Sequence, residues 1–465
     1  MKLKHTLFVA GFIGGLIIGP LAKADDTAEI IKSLREQINA LDQKVRVLER
    51  NRELDQDAVN EAAKTAPQIV LGENGLAISS ADTNFAFSLH GLIQADNRSF
   101  FNDGGINGND SFLLRRARPI FSGTVYRDFD FYFAPDFGGS TVQIFDAYLN
   151  YHYQPWLQLR AGKFKTPLGL EQLQSDAMTS FNERSLATDL VPGRDVGFQL
   201  WGDVADGRVS YALGIFNGVA DGRNSSNADF EDHHEFAGRL FAQAFKKTGG
   251  SFLEGLGFGV SGSWGNISSN ATGLASGFLT DGQQTFFAYT NNVVAQGDHW
   301  RVSPQAYYYW GPLSLLGEYV ISDQPVQRNV GKKVFNADLQ NTAWQISAGW
   351  VLTGEDASYN GITPKHSFDL SSGHWGALQL VGRFRELDLY KATFPTFANP
   401  GVSAQAAQSW SVGLNWYLNK NILIKTSYSR TDFTGGGGAA KTTTAPGNVT
   451  RQPEQVLFTR LQVAF

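Results

Sequence analysis

The chain contains no cysteine among its 465 residues. That removes a disulfide framework, thiolate metal ligation and a thiol nucleophile, so stability must come from hydrogen bonding and packing. Long apolar runs are scarce as well. Beyond the segment from Leu7 to Leu21, no stretch of about twenty apolar residues occurs, which excludes a helical span in the body of the chain. Positive charge is also in deficit. Lys and Arg number 39 against 44 Asp and Glu, and losing Lys2, Lys4 and Lys23 with a leader leaves 36 against 44. Net charge therefore points neither to nucleic acid nor to an anion as partner, and any anion preference has to come from where individual cations sit.

What is present begins with a leader. Met1-Lys-Leu-Lys4 is basic, an apolar run follows, and Ala22-Lys23-Ala24 supplies the small residues of a cleavage site. Residues 1–24 thus read as a secretory signal peptide, with the mature chain starting at Asp25. Over residues 25–66 the period is helical. Ile31, Leu34, Ile38, Leu41, Val45 and Leu48 form a 3-4 spaced seam flanked by charge, which predicts a periplasmic coiled coil; a lone amphipathic spacer helix is the alternative. The seam fails at Arg52 and Asp55, and Pro67 marks the hand-over to a second domain.

From residue 72 to 465 the period is two. Trp410, Val412, Leu414 and Trp416 oppose Ser409, Ser411 and Asn415, and Trp300 to Trp310 alternates in the same way. The last residues set Leu457, Leu461, Val463 and Phe465 against Arg460 and Gln462 and end on an aromatic, as the closing strand of an outer-membrane barrel requires. The fold class is therefore all-β, a transmembrane antiparallel β-barrel of about 16 strands that encloses water, with an N-terminal α-helical coiled-coil segment. Arg127 breaks the alternation between Val125 and Asp136 and suggests a short turn there. The polar stretches 266–299 and 434–455 read as extracellular loops, and 166–194 as a loop folded into the lumen.

The densest cationic feature is Arg115-Arg116-Ala117-Arg118. Arg116 and Arg118 share a lumen face, whereas Arg115 has the opposite parity and needs either snorkelling at the rim or a local bulge to reach water. Arg383 and Arg385 form a second same-face pair, Arg301, Arg460 and Lys425 add single lumen cations, and alternation leaves the facing of Arg239 open. Guanidinium groups exchange an oxyanion's hydration for paired hydrogen bonds, and several in a row let the ion move without a deep trap. The opposing reading is charge pairing with lumen acids such as Asp128, Asp130, Asp136, Asp146 and Glu318. Two motifs carry no chemistry. Gly435 to Thr442 imitates a phosphate-binding loop without its strand and helix, and Asp232-His233-His234-Glu235 lacks a further metal ligand at useful spacing.

Several segments resemble the phosphate-selective porin O and P family of Gram-negative outer membranes. They include Arg115-Arg-Ala117, Asp146-Ala-Tyr-Leu149, Gly162-Lys-Phe-Lys-Thr-Pro-Leu-Gly-Leu-Glu171, Gly193-Arg-Asp-Val-Gly197 and Val351-Leu-Thr-Gly-Glu-Asp-Ala-Ser-Tyr359. The resemblance implies a homotrimer of 16-stranded barrels, an inward third loop and an arginine ladder leading anions to a constriction. Arg115 and Arg116 match the paired arginines of that ladder, and Asp146 matches an acid near the narrow part. The chain departs from the pattern at Arg118, where phosphate-specific members carry tyrosine. Its third loop also brings Glu171, Asp176, Glu183 and Asp189 beside Lys165, Arg184 and Arg194.

The reading that follows is a passive outer-membrane channel favouring anions such as phosphate, embedded in lipid, with no cofactor and no enzymatic step. Arg115, Arg116 and Arg118 would attract the ion, Lys165, Arg184 and Arg194 would line the constriction, and Arg383 and Arg385 would extend the track. A general or sugar-selective porin using Tyr307, Tyr309 and Tyr417 is one alternative. An envelope-tethering barrel is another.

Overall fold

Alternation of lipid-facing and water-facing side chains, which the sequence displays, can only be satisfied by a sheet that closes on itself. The computed structural model describes residues 24–465 apart from 102–107, 140, 227–231, 247–248, 271–273 and 438–448. The leader segment 1–23, half of the stretch 434–455 and most of the Gly435 to Thr442 motif lie outside the described residues. Two compact units divide between Ala66 and Pro67.

The first unit is a helix, α1, from Ala24 to Thr65, about 63 Å long at 1.5 Å per residue. It runs well past Leu48, because residues 49–65 contain neither glycine nor proline. Arg46 pairs with Asp42 at 3.0 Å and Arg50 with Glu53 at 3.1 Å, the neighbour spacing a helix surface favours. The whole Ile31 to Leu48 seam is exposed on the single chain.

The second unit is a closed antiparallel barrel of sixteen strands. In chain order they are β1 (Ala86–Phe100), β2 (Ser111–Val125), β3 (Phe129–Asp136), β4 (Gln143–Gln154), β5 (Leu157–Lys165) and β6 (Arg194–Val204). There follow β7 (Val209–Phe216), β8 (Glu235–Ala242), β9 (Leu256–Asn270), β10 (Val293–Trp310) and β11 (Leu313–Val330). The circuit ends with β12 (Lys333–Val351), β13 (Ala377–Asp388), β14 (Ala404–Tyr417), β15 (Ile422–Gly435) and β16 (Glu454–Ala464). The turn expected at Arg127 is real: Tyr126 and Arg127 both take positive φ between β2 and β3.

Closure joins β16 to β1, from Val456 opposite Phe100 to Ala464 opposite Leu92. Phe465 and Gly91 then exchange backbone hydrogen bonds at 2.9 and 3.0 Å. Gly91 leaves room for the Phe465 ring, which a Cβ there would approach to 2.6 Å. Below that point a hairpin of Gln68–Gly72 and Gly75–Ser79 pairs with β1 from Leu76 opposite Leu89 to Ser79 opposite Ala86, covering the edge that β16 leaves open.

Leu461, Trp410, Val412, Leu414, Ile346 and Trp350 are exposed on the outer face, while Arg460, Gln462, Ser409, Ser411 and Gln345 are buried inside. The interior is not simply water. Segment 166–193 enters it from the far end of β5 and carries a short helix, Leu170–Leu173, and a 3-10 turn, Leu186–Leu190. Leu168, Leu186 and Leu190 pack with Phe278, Phe286 and Phe287 of segment 274–292 and with Leu387 and Ala407 of the wall. The expectation of an extracellular loop over 266–299 is thus corrected. Strands β9 and β10 take its ends, and its three phenylalanines draw the middle into the barrel because that is where apolar surface can be buried.

The connection 352–376 lies at the end of the barrel otherwise closed by short turns. Ala357 and Ile362 pack there against Val351, Ala377, Tyr417 and Leu423. The Tyr359 hydroxyl donates to the carbonyl of Leu170 at 2.6 Å, and its carbonyl accepts from Gln174 Nε2 at 2.8 Å. Two inward segments from opposite ends therefore meet inside the barrel, and two cavities remain along one side of the wall.

Candidate permeation pathway

That side is the wall from β2 to β8, and it is organised by a bulge. In the β1 to β2 pairing Gln94 faces Arg116 but Ala95 already faces Leu114, so Arg115 is the extra residue. The bulge reverses its parity, the second of the two options the sequence left open, and Arg115, Arg116 and Arg118 all project inward.

Segment 166–193 meets them with acids. Glu183 accepts from Arg115 Nε at 2.7 Å and from its terminal nitrogen at 2.9 Å, with Arg98 at 3.2 Å and Arg460 at 3.5 Å. Asp176 stands among four guanidiniums. It is hydrogen-bonded by Arg118 and Arg184, with Arg116 at 3.5 Å and Arg194 at 3.7 Å. Asp136 accepts from Arg118 Nε at 2.6 Å, and Asp146 from Arg194 Nε at 3.0 Å. Burial alone would raise Asp176, but Arg116, Arg184, Arg118 and Lys165 together hold its carboxyl well below the usual range. Glu183 is likewise opposed by burial and lowered by Arg115. Asp189 has no such match, and burial pushes it up to about 7.

Two cavities run past this cluster. The outer one, about 410 Å³, is lined by Arg115, Arg116, Glu183, Arg184, Asp189 and Arg223 among others. The inner one, about 510 Å³, includes Arg118, Tyr132, Asp146, Tyr148, Arg160, Lys165, Trp201 and Arg239. Asp176 and Arg194 line both.

The structure thus brings Arg115, Arg116, Arg118, Asp146, Lys165, Arg184, Arg194 and Arg239 to the walls of these two cavities. Arg184 also ties the inward segment together, donating to the carbonyls of Glu171 at 3.0 Å and Gln174 at 2.8 Å. Arg239 faces inward, with Nε 3.1 Å from Gln305 Oε1.

Arg383 and Arg385 do not extend the track. Both are buried; Arg383 pairs with Glu171 at 2.9 Å and Arg385 with Asp281. Arg301 and Arg460 are equally sealed, at 1% exposure or less, by Asp221 at 2.6 Å and Asp96 at 2.6 Å. Inward segments supply the carboxylates for Arg383 and Arg385, the connection after β7 supplies that for Arg301 and the neighbouring strand β1 that for Arg460; a buried guanidinium left unpaired would cost several kcal/mol. Glu318, a suggested acid partner, instead accepts the backbone N–H of Leu170 at 2.6 Å and of Glu171 at 3.3 Å and anchors the inward segment. Tyr307 stacks on Tyr359 at 5.4 Å and meets the tilted ring of Tyr309 at 5.2 Å, and Tyr417 is buried against Gln379. Glu235 of the histidine-rich motif pairs with Arg301, and no cluster among the described residues could hold a metal.

Sequence reasoning missed Arg160, Arg98, Arg223 and the central place of Asp176. Alternation offered a signal for Arg160, because Leu159 before it faces lipid. Its setting comes from three strands: the guanidinium lies 4.4 Å from the Tyr148 ring centroid, 4.8 Å from Trp201 and 5.4 Å from Phe164.

A sixteen-stranded barrel with an aromatic C-terminus, an inward loop and a charged residual path is a porin of the Gram-negative outer membrane, a channel rather than an enzyme. The chain belongs to the family described as phosphate-selective porin O and P, whose model matches residues 87–465. Porin O of Pseudomonas aeruginosa is 24% identical over 426 residues, covering 85% of this chain and 92% of that protein. Among solved structures, the outer-membrane channel DcaP of Acinetobacter baumannii superposes with TM-score 0.52 at 10% identity, covering 82% of this chain and 98% of that one. The anion-selective porin from Comamonas acidovorans gives 0.50 at 12%, covering 82% and 100%.

Proposed function

We propose that the protein is a passive, homotrimeric channel that favours anions, with phosphate and polyphosphate among its solutes. One observation carries this. The whole chain is net negative, yet nine basic side chains and only six acidic ones line the two cavities. In a narrow lumen of low dielectric that local excess governs which ion enters. Arg115, Arg116, Arg184 and Arg223 draw the ion in, Arg194 and Arg118 pass it beyond Asp176, and Lys165, Arg160 and Arg239 receive it. The family's name supports phosphate as a solute, while Asp176 and Glu183 on the guanidiniums weaken retention of it.

The test is single-channel conductance in KCl while phosphate is titrated in. Block at low phosphate supports a phosphate-retaining channel. Unchanged conductance leaves a general anion channel. Sugar selectivity is less favoured, since Tyr307, Tyr309 and Tyr417 are packed against protein; block by maltodextrin would reverse that judgement. The exposed seam of α1 supports a self-associating periplasmic segment, and its Ile or Val and Leu pattern suits a dimer, so the barrel would have to impose a trimer.

A further inference from the structure

Below Asp176 and Arg194 the chemistry of the path changes. In the outer cavity the bulge arginines and Arg184 are matched by carboxylates. In the inner cavity Arg160 and Arg239 form no ion pair among the described residues, and Arg160 Nε is buried with no hydrogen-bond partner among them. Lys165 Nζ rests on the neutral carbonyls of Gln174 at 2.7 Å and Leu173 at 3.4 Å. The acids of that cavity are occupied elsewhere: Asp146 by Arg194, Asp176 by its arginines, and Asp203 by the Ser210 hydroxyl at the rim.

The walls change as well. Arg160 is clasped by Tyr148, Trp201 and Phe164; Tyr132 stacks on Tyr148 at 5.2 Å; and Arg239 lies 4.4 Å over Phe241. A guanidinium covered by rings keeps its charge and its N–H edge but sheds water from its faces. Such a surface suits a carboxylate that carries a flat apolar body better than phosphate, which has no apolar face to set against the rings.

We infer that the inner cavity is a binding site for organic carboxylates bearing an aromatic or similarly flat apolar group, with Arg160 as its anchor and Tyr132, Tyr148 and Trp201 as its walls. The inference deepens the anion-channel reading and rests on it. The solutes retained longest are then ring-bearing carboxylates added from the periplasmic side, while small inorganic anions pass through.

The test uses the full-length protein in planar bilayers with benzoate, acetate and phosphate as blockers from the periplasmic side. Acetate carries the same carboxylate without the ring. Half-block by benzoate is expected at a concentration about tenfold lower than by acetate, the factor that one good aromatic contact supplies. Arg160→Gln should bring the two within about twofold, and Trp201→Leu is the second variant should Arg160→Gln fail to insert. Equal block of the unaltered channel by benzoate and acetate overturns the inference, as does a benzoate preference unchanged in an inserted variant, or block by phosphate stronger than by benzoate. The two readings fail separately. A cation-selective channel that still prefers benzoate sinks the anion-channel reading alone, whereas an anion-selective channel without ring preference sinks the site alone.

Discussion

Asp176 sits where the outer and inner cavities meet, so removing its charge is the sharpest perturbation of the path. Asp176→Asn keeps the shape but leaves an acceptor oxygen for only one of Arg118 and Arg184, which bond opposite oxygens of the carboxylate. It deletes one negative charge from a site with two further guanidiniums at 3.5 and 3.7 Å. A unit charge about 4 Å from a permeating ion is worth about 1 kcal/mol in bulk water and about 4 kcal/mol at an effective dielectric of about 20. Taking the watery limit, the anion gains and the cation loses about 1 kcal/mol each, or about 2 kcal/mol in their difference, which is about thirtyfold in relative partitioning at that point. Because other parts of the path share the resistance, the anion-to-cation permeability ratio should rise by about tenfold. The variant also leaves guanidiniums short of a partner, and a loss of about 3 kcal/mol of stability is expected. Folding is checked by heat-modifiable migration and circular dichroism, and the ratio is read from reversal potentials in a KCl gradient. A folded variant with an unaltered reversal potential would refute the placement of Asp176 on the ion's path.

Other expectations follow from the same geometry. Replacing Arg116 and Arg118 together by glutamine should lower the anion-to-cation ratio several-fold, and unchanged reversal potentials would remove them from the path. Asp189, pushed up to about 7 by burial and opposed by Arg223, gains its charge in the outer cavity between about pH 6 and 8, so anion preference should fall across that window and Asp189→Asn should flatten the profile. Its raised value has a stability sign as well: the folded state holds the proton more tightly, so stability is fullest below the unfolded value and declines as pH rises toward 7, which urea unfolding at pH 5 and 8 would read. Gly91→Ala places a methyl 2.6 Å from the Phe465 ring and should cost about 1–3 kcal/mol of barrel stability, measured as a lower temperature of heat modification.

Local chemistry was legible in the chain where it repeats along one strand. Alternation at Trp410 to Trp416 and at Leu457 to Phe465 gave the correct faces, the Arg127 exception gave the turn, and the offset parity of Arg115 pointed to a bulge as one of two solutions. What stayed hidden depends on partners far along the chain. Arg383 meets Glu171 across 212 positions and Arg385 meets Asp281 across 104, so no pattern within β13 distinguishes a sealed arginine from one bathed in water. Segment 266–299 looked polar on average, yet Phe278, Phe286 and Phe287 are buried with the apolar residues of the inward segment and the wall. Arg160 was overlooked because its meaning lies in rings supplied by β4, β5 and β6, not in its neighbours.

The central claim, that a local excess of cations makes a net-negative chain an anion channel, is tested most directly by the reversal potential of the unaltered protein across a tenfold KCl gradient. The account expects a zero-current potential displaced toward the chloride equilibrium value. A displacement toward the potassium value would contradict it and leave the barrel as a channel of a different selectivity.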